Sequence, residues 1–201
     1  MTQRRSISGA ACLLSAALFI SVASGQDKSD PQSVVEPRSG PGAGQKFLEP
    51  FVGEWDVVKT FYSRSGTASR TSGTCKQTMI HEGRFLESEF MFQQGDIKTT
   101  GQGLIGFEPA TGNFTSVWTD SRATRMSLRQ SKDKFDGQQI VLFSKPLNEG
   151  TEARSSRTVT QLEENGQKIV HRQFTAGEGG AERLMMELVM TRRGDAPAGG
   201  K

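Results

Sequence analysis

The feature that most constrains the fold is a period-two alternation of apolar and polar residues, which recurs between turn signals from residue 46 to residue 193. Its clearest instance is Gly103–Ser121, GLIGFEPATGNFTSVWTDS, where two alternating runs flank a turn that contains Pro109 and Gly112. Proline fixes φ and glycine tolerates positive φ, so this segment encodes a chain reversal locally. Alternation on both sides of a reversal predicts two antiparallel strands.

The same pattern along the rest of the chain predicts about ten strands. Three strands come first and contain Trp55–Phe61, Cys75–His81 and Leu86–Phe92. The other predicted strands are Leu104–Phe107, Phe114–Asp120, Met126–Gln130, Gln139–Ser144, Arg157–Leu162, Ile169–Phe174 and Leu184–Thr191. Short, evenly spaced strands are typical of an up-and-down barrel or a sandwich. Because no strand carries a proline that would protect an exposed edge, we predict an all-β, antiparallel up-and-down β-barrel, preceded by a short helical turn at Lys46–Phe51.

The first 25 residues have the features of a secretory signal peptide. Arg4 and Arg5 precede an apolar run at Ala10–Val22, and small residues follow it up to Gly25. The run is shorter than the roughly 20 apolar residues of a membrane-spanning helix. We therefore expect export to the periplasm or the extracellular space, with cleavage near Gly25 and the export route, general secretory or twin-arginine, left open.

Composition divides the remainder into three parts. Residues 26–45 are rich in proline, glycine and serine and almost free of apolar side chains, which predicts a disordered linker. Residues 46–193 are long enough to form one barrel domain with its own core. Residues 194–201 have the composition of a second disordered segment.

Charge and cysteine content exclude several classes of protein. The net charge of +3 falls by two when Arg4 and Arg5 leave with the signal, and the remaining basic residues alternate with acidic ones. That distribution argues against a nucleic-acid interface or a polybasic membrane surface. Cys12 also leaves with the signal, so Cys75 has no internal disulfide partner, and we expect it to be a small buried side chain.

Several motifs resemble known barrels. Gly53-Glu54-Trp55 is similar to the G-x-W at which the chain enters lipocalin-like (calycin) barrels, and that resemblance implies that an arginine of the last strand, Arg192 or Arg193, covers Trp55. Together with GFEPATGNFTSVWTDS, RMSLRQSKDKFDG and MELVMTR, the chain resembles the domain-of-unknown-function family 1579. The resemblance implies an exported bacterial barrel and no assigned activity.

Acid–base chemistry has three candidates, Asp120, Arg125 and His81. Asp120 follows Trp118 on one strand face near a strand end, where an arginine could perturb its pKa. The alternative for Asp120 is a turn carboxylate that pairs with Arg122. Nucleophile-elbow, zinc-protease, nucleotide-loop and dinucleotide motifs do not occur in the sequence.

Metal and haem sites are not predicted. Cys75, Met79 and His81 share one predicted strand face, but Cys75 and His81 lie roughly 20 Å apart in an extended strand, too far for a common metal. Nitrobindin-like small barrels ligate haem through a histidine near the C-terminus, whereas the last predicted strand here has none. We therefore expect no cofactor and expect His171, in the penultimate strand, to be a surface histidine.

Three functions remain open. The first is binding of a small apolar ligand inside the barrel, with Phe90, Phe92, Trp118, Met126, Leu128 and Met186 as ligand-binding residues; the predicted inward set adds Ile140, Leu142, Leu188 and Met190. The second is an enzyme acting on a small molecule in the same cavity. The third is a structural or interaction protein of the cell envelope; the oligomeric state is left open.

Overall fold

The computed structural model describes residues 40–146, 156–176 and 181–194, and these form a closed ten-stranded barrel. The predicted signal peptide, the predicted linker up to residue 39 and the predicted tail from residue 195 lie outside the described residues. The strands are β1 (Gly53–Tyr62), β2 (Ala68–Ile80), β3 (Phe85–Gln94), β4 (Ile97–Glu108), β5 (Asn113–Asp120), β6 (Ser127–Gln130), β7 (Ile140–Lys145), β8 (Ser156–Glu163), β9 (Lys168–Ala176) and β10 (Glu182–Arg192). The predicted all-β, antiparallel up-and-down barrel of about ten strands is confirmed, including the last predicted strand, Leu184–Thr191.

Each strand is antiparallel to the next in sequence, and β1 pairs with β10 to close the sheet. The strand connections therefore alternate between two ends of the barrel. The helix end is formed by the N-terminal helix and by connections 81–84, 109–112, 131–139 and 164–167. Among the described residues, connections 63–67, 95–96 and 121–126 lie at the opposite end, the mouth. None of the helices in the described residues is long and apolar enough to cross a membrane.

The N-terminal helix is longer than predicted. Helix α1 spans Ala43–Leu48, and a 3₁₀ turn, Glu49–Phe51, continues it. Gln45 fixes α1 to the barrel, because its Nε2 donates to the Phe107 carbonyl at 2.7 Å and its Oε1 accepts from the Gly42 N–H at 2.7 Å. Residues 43–45 thus belong to the folded domain and not to the linker predicted at 26–45. The prediction missed them because small residues carry little apolar pattern.

Gly44 explains why a small residue is needed in α1. A Cβ atom at this position would lie 2.2 Å from the Phe107 ring, so only glycine lets the helix approach β4 this closely. The helix end is then filled by a cluster of aromatic rings from α1, the 3₁₀ turn, two strands and connection 131–139: Phe47, Phe51, Phe107, Phe114 and Phe135. This cluster closes one end of the barrel.

Strand β4 begins at Ile97, seven residues before the predicted Leu104. Its first half, IKTTGQG, is polar and glycine-containing, so its side chains give no strand signal. Backbone pairing with β3 supplies the order instead, as in the pairs of Phe92 with Thr99 and Phe90 with Gly101. A strand held mainly by its neighbour's ladder is invisible to side-chain periodicity.

Trp55 and Arg192 face each other across the β1–β10 pair that closes the barrel. Trp55 is fully buried, and the Arg192 guanidinium carbon lies 4.2 Å from the centroid of its ring. The guanidinium also donates to three backbone carbonyls, those of Pro50, Val52 and Gly166, at 2.6–3.0 Å. The Arg192 side chain therefore connects three segments by hydrogen bonds: the 3₁₀ turn, the residue before β1 and the connection before β9. Neighbouring Arg193 instead pairs with Asp56 at 2.7 Å on the surface.

We predict that Arg192→Lys destabilises the barrel by about 2 kcal/mol, because lysine cannot reach three carbonyls at once and hydrogen bonds from a charged donor contribute about 1.5–3 kcal/mol. Urea denaturation measures the free energy of unfolding. Arg193→Lys is the matched control and should change that free energy by less than about 0.5 kcal/mol. Equal effects of the two substitutions would contradict this role for Arg192.

Candidate functional site

The barrel encloses a cavity of about 640 Å³. Leu48 and Phe51 form its floor at the helix end, and both are buried. Phe61 and Arg122 line it at the mouth, where Phe61 is 45% exposed and the Arg122 side chain 60% exposed. The cavity therefore reaches from a closed floor to solvent at the mouth.

Much of the wall is apolar. It includes eight of the ten side chains predicted to face inward: Phe90, Phe92, Trp118, Ile140, Leu142, Met186, Leu188 and Met190. Four of these, Phe90, Phe92, Trp118 and Met186, belong to the predicted ligand-binding set. Their role in binding stays a prediction, but the structure brings them to one cavity.

The prediction that Met126 and Leu128 face the cavity is wrong. Met126 lies in the connection before β6 and is 59% exposed, and neither residue lines the cavity. Strand β6 presents Ser127 and Arg129 to the interior instead. The prediction chose the apolar face of this strand as the inner one, and that rule fails because this part of the wall is polar.

Trp118 forms part of the wall and is held on three sides. Its ring lies over Gly101, where a Cβ atom would come within 2.4 Å of it, and the ring meets Phe90 edge-on at a centroid distance of 5.5 Å. Its Nε1 donates to Asp120 Oδ2 at 3.0 Å. The tryptophan is thus fixed in orientation, with aromatic surface toward the cavity.

Asp120 acts as a structural carboxylate at the mouth. It accepts hydrogen bonds from the Arg122 guanidinium at 2.9 and 3.2 Å and from the Arg122 backbone N–H at 2.8 Å. The Arg122 side chain is the main reason that the pKa of Asp120 lies well below its usual range, with Trp118 contributing and burial opposing. A carboxylate held this way is a weak base, which agrees with the turn-carboxylate alternative.

The three acid–base candidates do not converge. His81 lies in connection 81–84 at the helix end, with a φ of 49°, and it is exposed. Asp120 and Arg125 lie at the mouth, and Arg125 is also exposed. The predicted strand face shared by Cys75, Met79 and His81 also ends early, because β2 stops at Ile80.

His171 is the main residue that sequence reasoning misplaced. It lines the cavity, where its Nδ1 lies 2.8 Å from the Thr160 hydroxyl oxygen. Burial, and secondarily the charge of Arg129, lowers the pKa of His171 to about 4, so the ring is neutral at pH 7. The expectation of a surface histidine failed because Ile169 and Val170, on opposite faces of β9, are both buried, and periodicity could not tell the faces apart.

Arg129 was not identified from the sequence either. It lines the deep part of the cavity from β6, one residue before the strand ends at the helix end. Its Nε is buried without a hydrogen-bond partner in the described part of the chain, as is the Oε1 of Gln77, another cavity residue. Burial lowers the pKa of Arg129, but a guanidinium stays charged at neutral pH. The interior therefore holds a cation beside a neutral histidine.

Cys75 is buried, and burial, with the charge of Glu89 as a smaller cause, raises its pKa to about 12. It is therefore a protonated, small apolar side chain at neutral pH. Among the described residues there is no group of three or more His, Cys, Asp or Glu side chains that could hold a metal ion. The predictions of no metal and no haem stay predictions.

Comparison with known proteins identifies the family of this barrel. The chain matches the family described as "Protein of unknown function (DUF1579)" over residues 40–192. The chain belongs to this family. The matched range begins just before α1 and ends with β10, so it covers the barrel and the helix that closes it. No curated protein matches the chain.

Two solved structures show similar barrels. Rv2717c from M. tuberculosis has a TM-score of 0.51 and 12% identity, over 77% of this chain and 99% of that one. The S-type phycobiliprotein lyase CPES from Guillardia theta has a TM-score of 0.51 and 9% identity, over 76% of this chain and 93% of that one. At these identities the likeness concerns the fold alone.

We predict that acid destabilises the barrel through His171. Its pKa falls from 6.5 to about 4 on folding. The unfolded chain therefore binds a proton more readily than the folded one, and stability is lost as the pH falls from about 6.5 toward 4. The loss is at most about 3 kcal/mol. Urea denaturation of the wild type and His171→Gln at pH 7.5 and 4.5 measures it, and the variant should lose less stability over that interval. The same pH dependence in both proteins would contradict this assignment.

Proposed function

We propose that this barrel is an exported binding protein that holds a small, largely apolar ligand in its cavity. The observation that supports the proposal is the cavity itself. Its volume of about 640 Å³ lies within the range of roughly 300–1,000 Å³ usual for small-molecule sites. A barrel whose side chains served only to fill its interior would not need such a space.

The chemistry of the wall supports an apolar ligand. Phe90 and Phe92 stack with nearly parallel rings at 6.0 Å, and Trp118 meets Phe90 edge-on, so the three rings form one continuous aromatic surface. Met186 faces the same cavity and can adapt to the shape of a bound molecule, because its side chain is flexible and polarizable. A few polar groups in a mostly apolar wall are the usual means of orienting a ligand.

The alternative functions have less support. The acid–base residues predicted for an enzyme do not converge on one point, because His81 lies at the helix end and Asp120 and Arg125 lie at the mouth. An envelope interaction protein would depend on the segment before residue 40, which lies outside the described residues. The lyase from Guillardia theta has a similar fold, but the proposal does not depend on its activity.

We predict that the purified barrel binds the neutral fluorescent probe N-phenyl-1-naphthylamine and that Thr71→Phe weakens binding about tenfold or more. Thr71 lines the cavity from β2, so a phenyl ring there takes up ligand space. Fluorescence titration gives the Kd. Urea denaturation of the same samples establishes that the variant is folded.

Ser72→Phe is the matched control, because Ser72 is exposed on the next position of the same strand. Its Kd should stay within about twofold of the wild-type value. A folded wild-type protein that does not bind the probe would overturn the proposed function. Equal weakening by the two substitutions would mean that the probe does not occupy the cavity.

A further inference from the structure

The described part of the cavity wall carries more positive than negative side chains. Among the described lining residues, three cations, Lys59, Arg122 and Arg129, face a single carboxylate, Asp120. Asp120 is already bound by Arg122. Lys59 and Arg129 make no salt bridge within the described part of the chain, so the cavity has an unbalanced positive charge.

Arg129 is the cation of this set whose hydrogen-bonding capacity is left unsatisfied by the described residues. It lies in the deep half of the cavity, and its Nε is buried without a partner in the described ranges 40–146, 156–176 and 181–194. A guanidinium carries five N–H donors in a rigid planar fork, and burying such a charge is costly unless an acceptor compensates it. Its neighbour His171 is neutral and hydrogen-bonded to Thr160, so it does not compensate the charge of the guanidinium.

We propose that Arg129 binds the carboxylate of an amphipathic ligand, with the ligand's apolar part extending past Phe90 and Trp118 toward the mouth. This inference rests on the proposed binding function and specifies the class of ligand. A guanidinium fork matches a carboxylate in charge and geometry. Among the described lining residues, Arg129 is the one cation in the depth of the cavity and His171 beside it is neutral, which favours a ligand with one negative charge over a ligand with two.

Lys59 fits the same ligand at the other end of the cavity. Its Nζ lies 4.0 Å above the Phe92 ring at the mouth, so the positive charge stands where a ligand enters. Cations at the mouth and in the depth of a low-dielectric cavity attract anions inward. The lysine therefore assists entry, while the specific contact is made at Arg129.

The test compares dodecanoate with dodecan-1-ol at pH 7.5, each displacing N-phenyl-1-naphthylamine from the whole protein. The two ligands share an apolar chain and differ in the charge of the head group. We expect wild-type protein to bind dodecanoate about tenfold or more tightly than the alcohol. This comparison needs no variant, so it does not depend on whether a mutant folds.

The variant Arg129→Met should remove the preference, because affinity for dodecanoate falls about tenfold or more while affinity for the alcohol changes little. Arg125→Met is the matched control, since Arg125 is an exposed arginine four residues earlier, and it should keep the preference. The melting temperature of ligand-free Arg129→Met should not fall, since the substitution removes a partly buried guanidinium whose Nε has no hydrogen-bond partner among the described residues. A purely structural arginine would instead lower the melting temperature and weaken both ligands equally.

The outcomes separate the two proposals. Binding of the alcohol and the acid with equal affinity overturns the carboxylate site and leaves the proposed apolar binding intact. A retained preference in folded Arg129→Met also overturns the assignment to Arg129. Failure of the wild-type protein to bind the neutral probe and both ligands overturns the proposed function, and the carboxylate site with it.

Discussion

Closure of the sheet depends on the pairing of β1 with β10, and the stacking of Arg192 on Trp55 stabilises that seam where it meets the helix end. Trp55 is fully buried, so its ring needs a cover on the side where the barrel would otherwise meet solvent. Arg192 supplies this cover and joins three carbonyls of the surrounding chain. Trp55 Nε1 also donates to the Phe51 carbonyl at 3.0 Å, which links the seam to the 3₁₀ turn and so to the aromatic cluster. The helix end of the barrel is therefore closed, and the cavity opens only toward the mouth within the described part of the chain.

The interior presents both apolar and polar side chains, and they come from interleaved strands. Strands β3 and β5 present aromatic rings, and β10 presents Met186, Leu188 and Met190. Strands β6, β8 and β9 present Arg129, Thr160 and His171. In a barrel, alternate residues of every strand face inward, so each strand contributes a fixed set of side chains to one side of the cavity. An amphipathic molecule would find both apolar and polar partners in the same space.

The fold could be read from the sequence to a large extent, because turn residues and period-two alternation are local signals. The turn at Pro109–Gly112 and the last strand, Leu184–Met190, are examples in which local chemistry and tertiary structure agree. The candidate site could not be predicted to the same degree. Alternation divides a strand into two faces and does not say which one is inside; the usual guide, that the apolar face is inside, fails where the cavity wall is polar. That failure placed Met126 and Leu128 in the cavity and left Arg129 and His171 outside it.

Arg129 and His171, which depart from the pattern of an apolar inner face, both lower the stability of the folded barrel. A chain selected only for a stable barrel would gain by replacing Arg129 with an apolar side chain, because its guanidinium is partly buried and its Nε has no hydrogen-bond partner among the described residues. His171 likewise lowers stability at acidic pH, since the folded protein holds it neutral. Both groups face a cavity and not a packed core, and polar residues that oppose stability are characteristic of functional sites. The positions that the sequence pattern misassigned, Arg129 and His171, are therefore those at which the polarity of the cavity wall opposes the stability of the barrel.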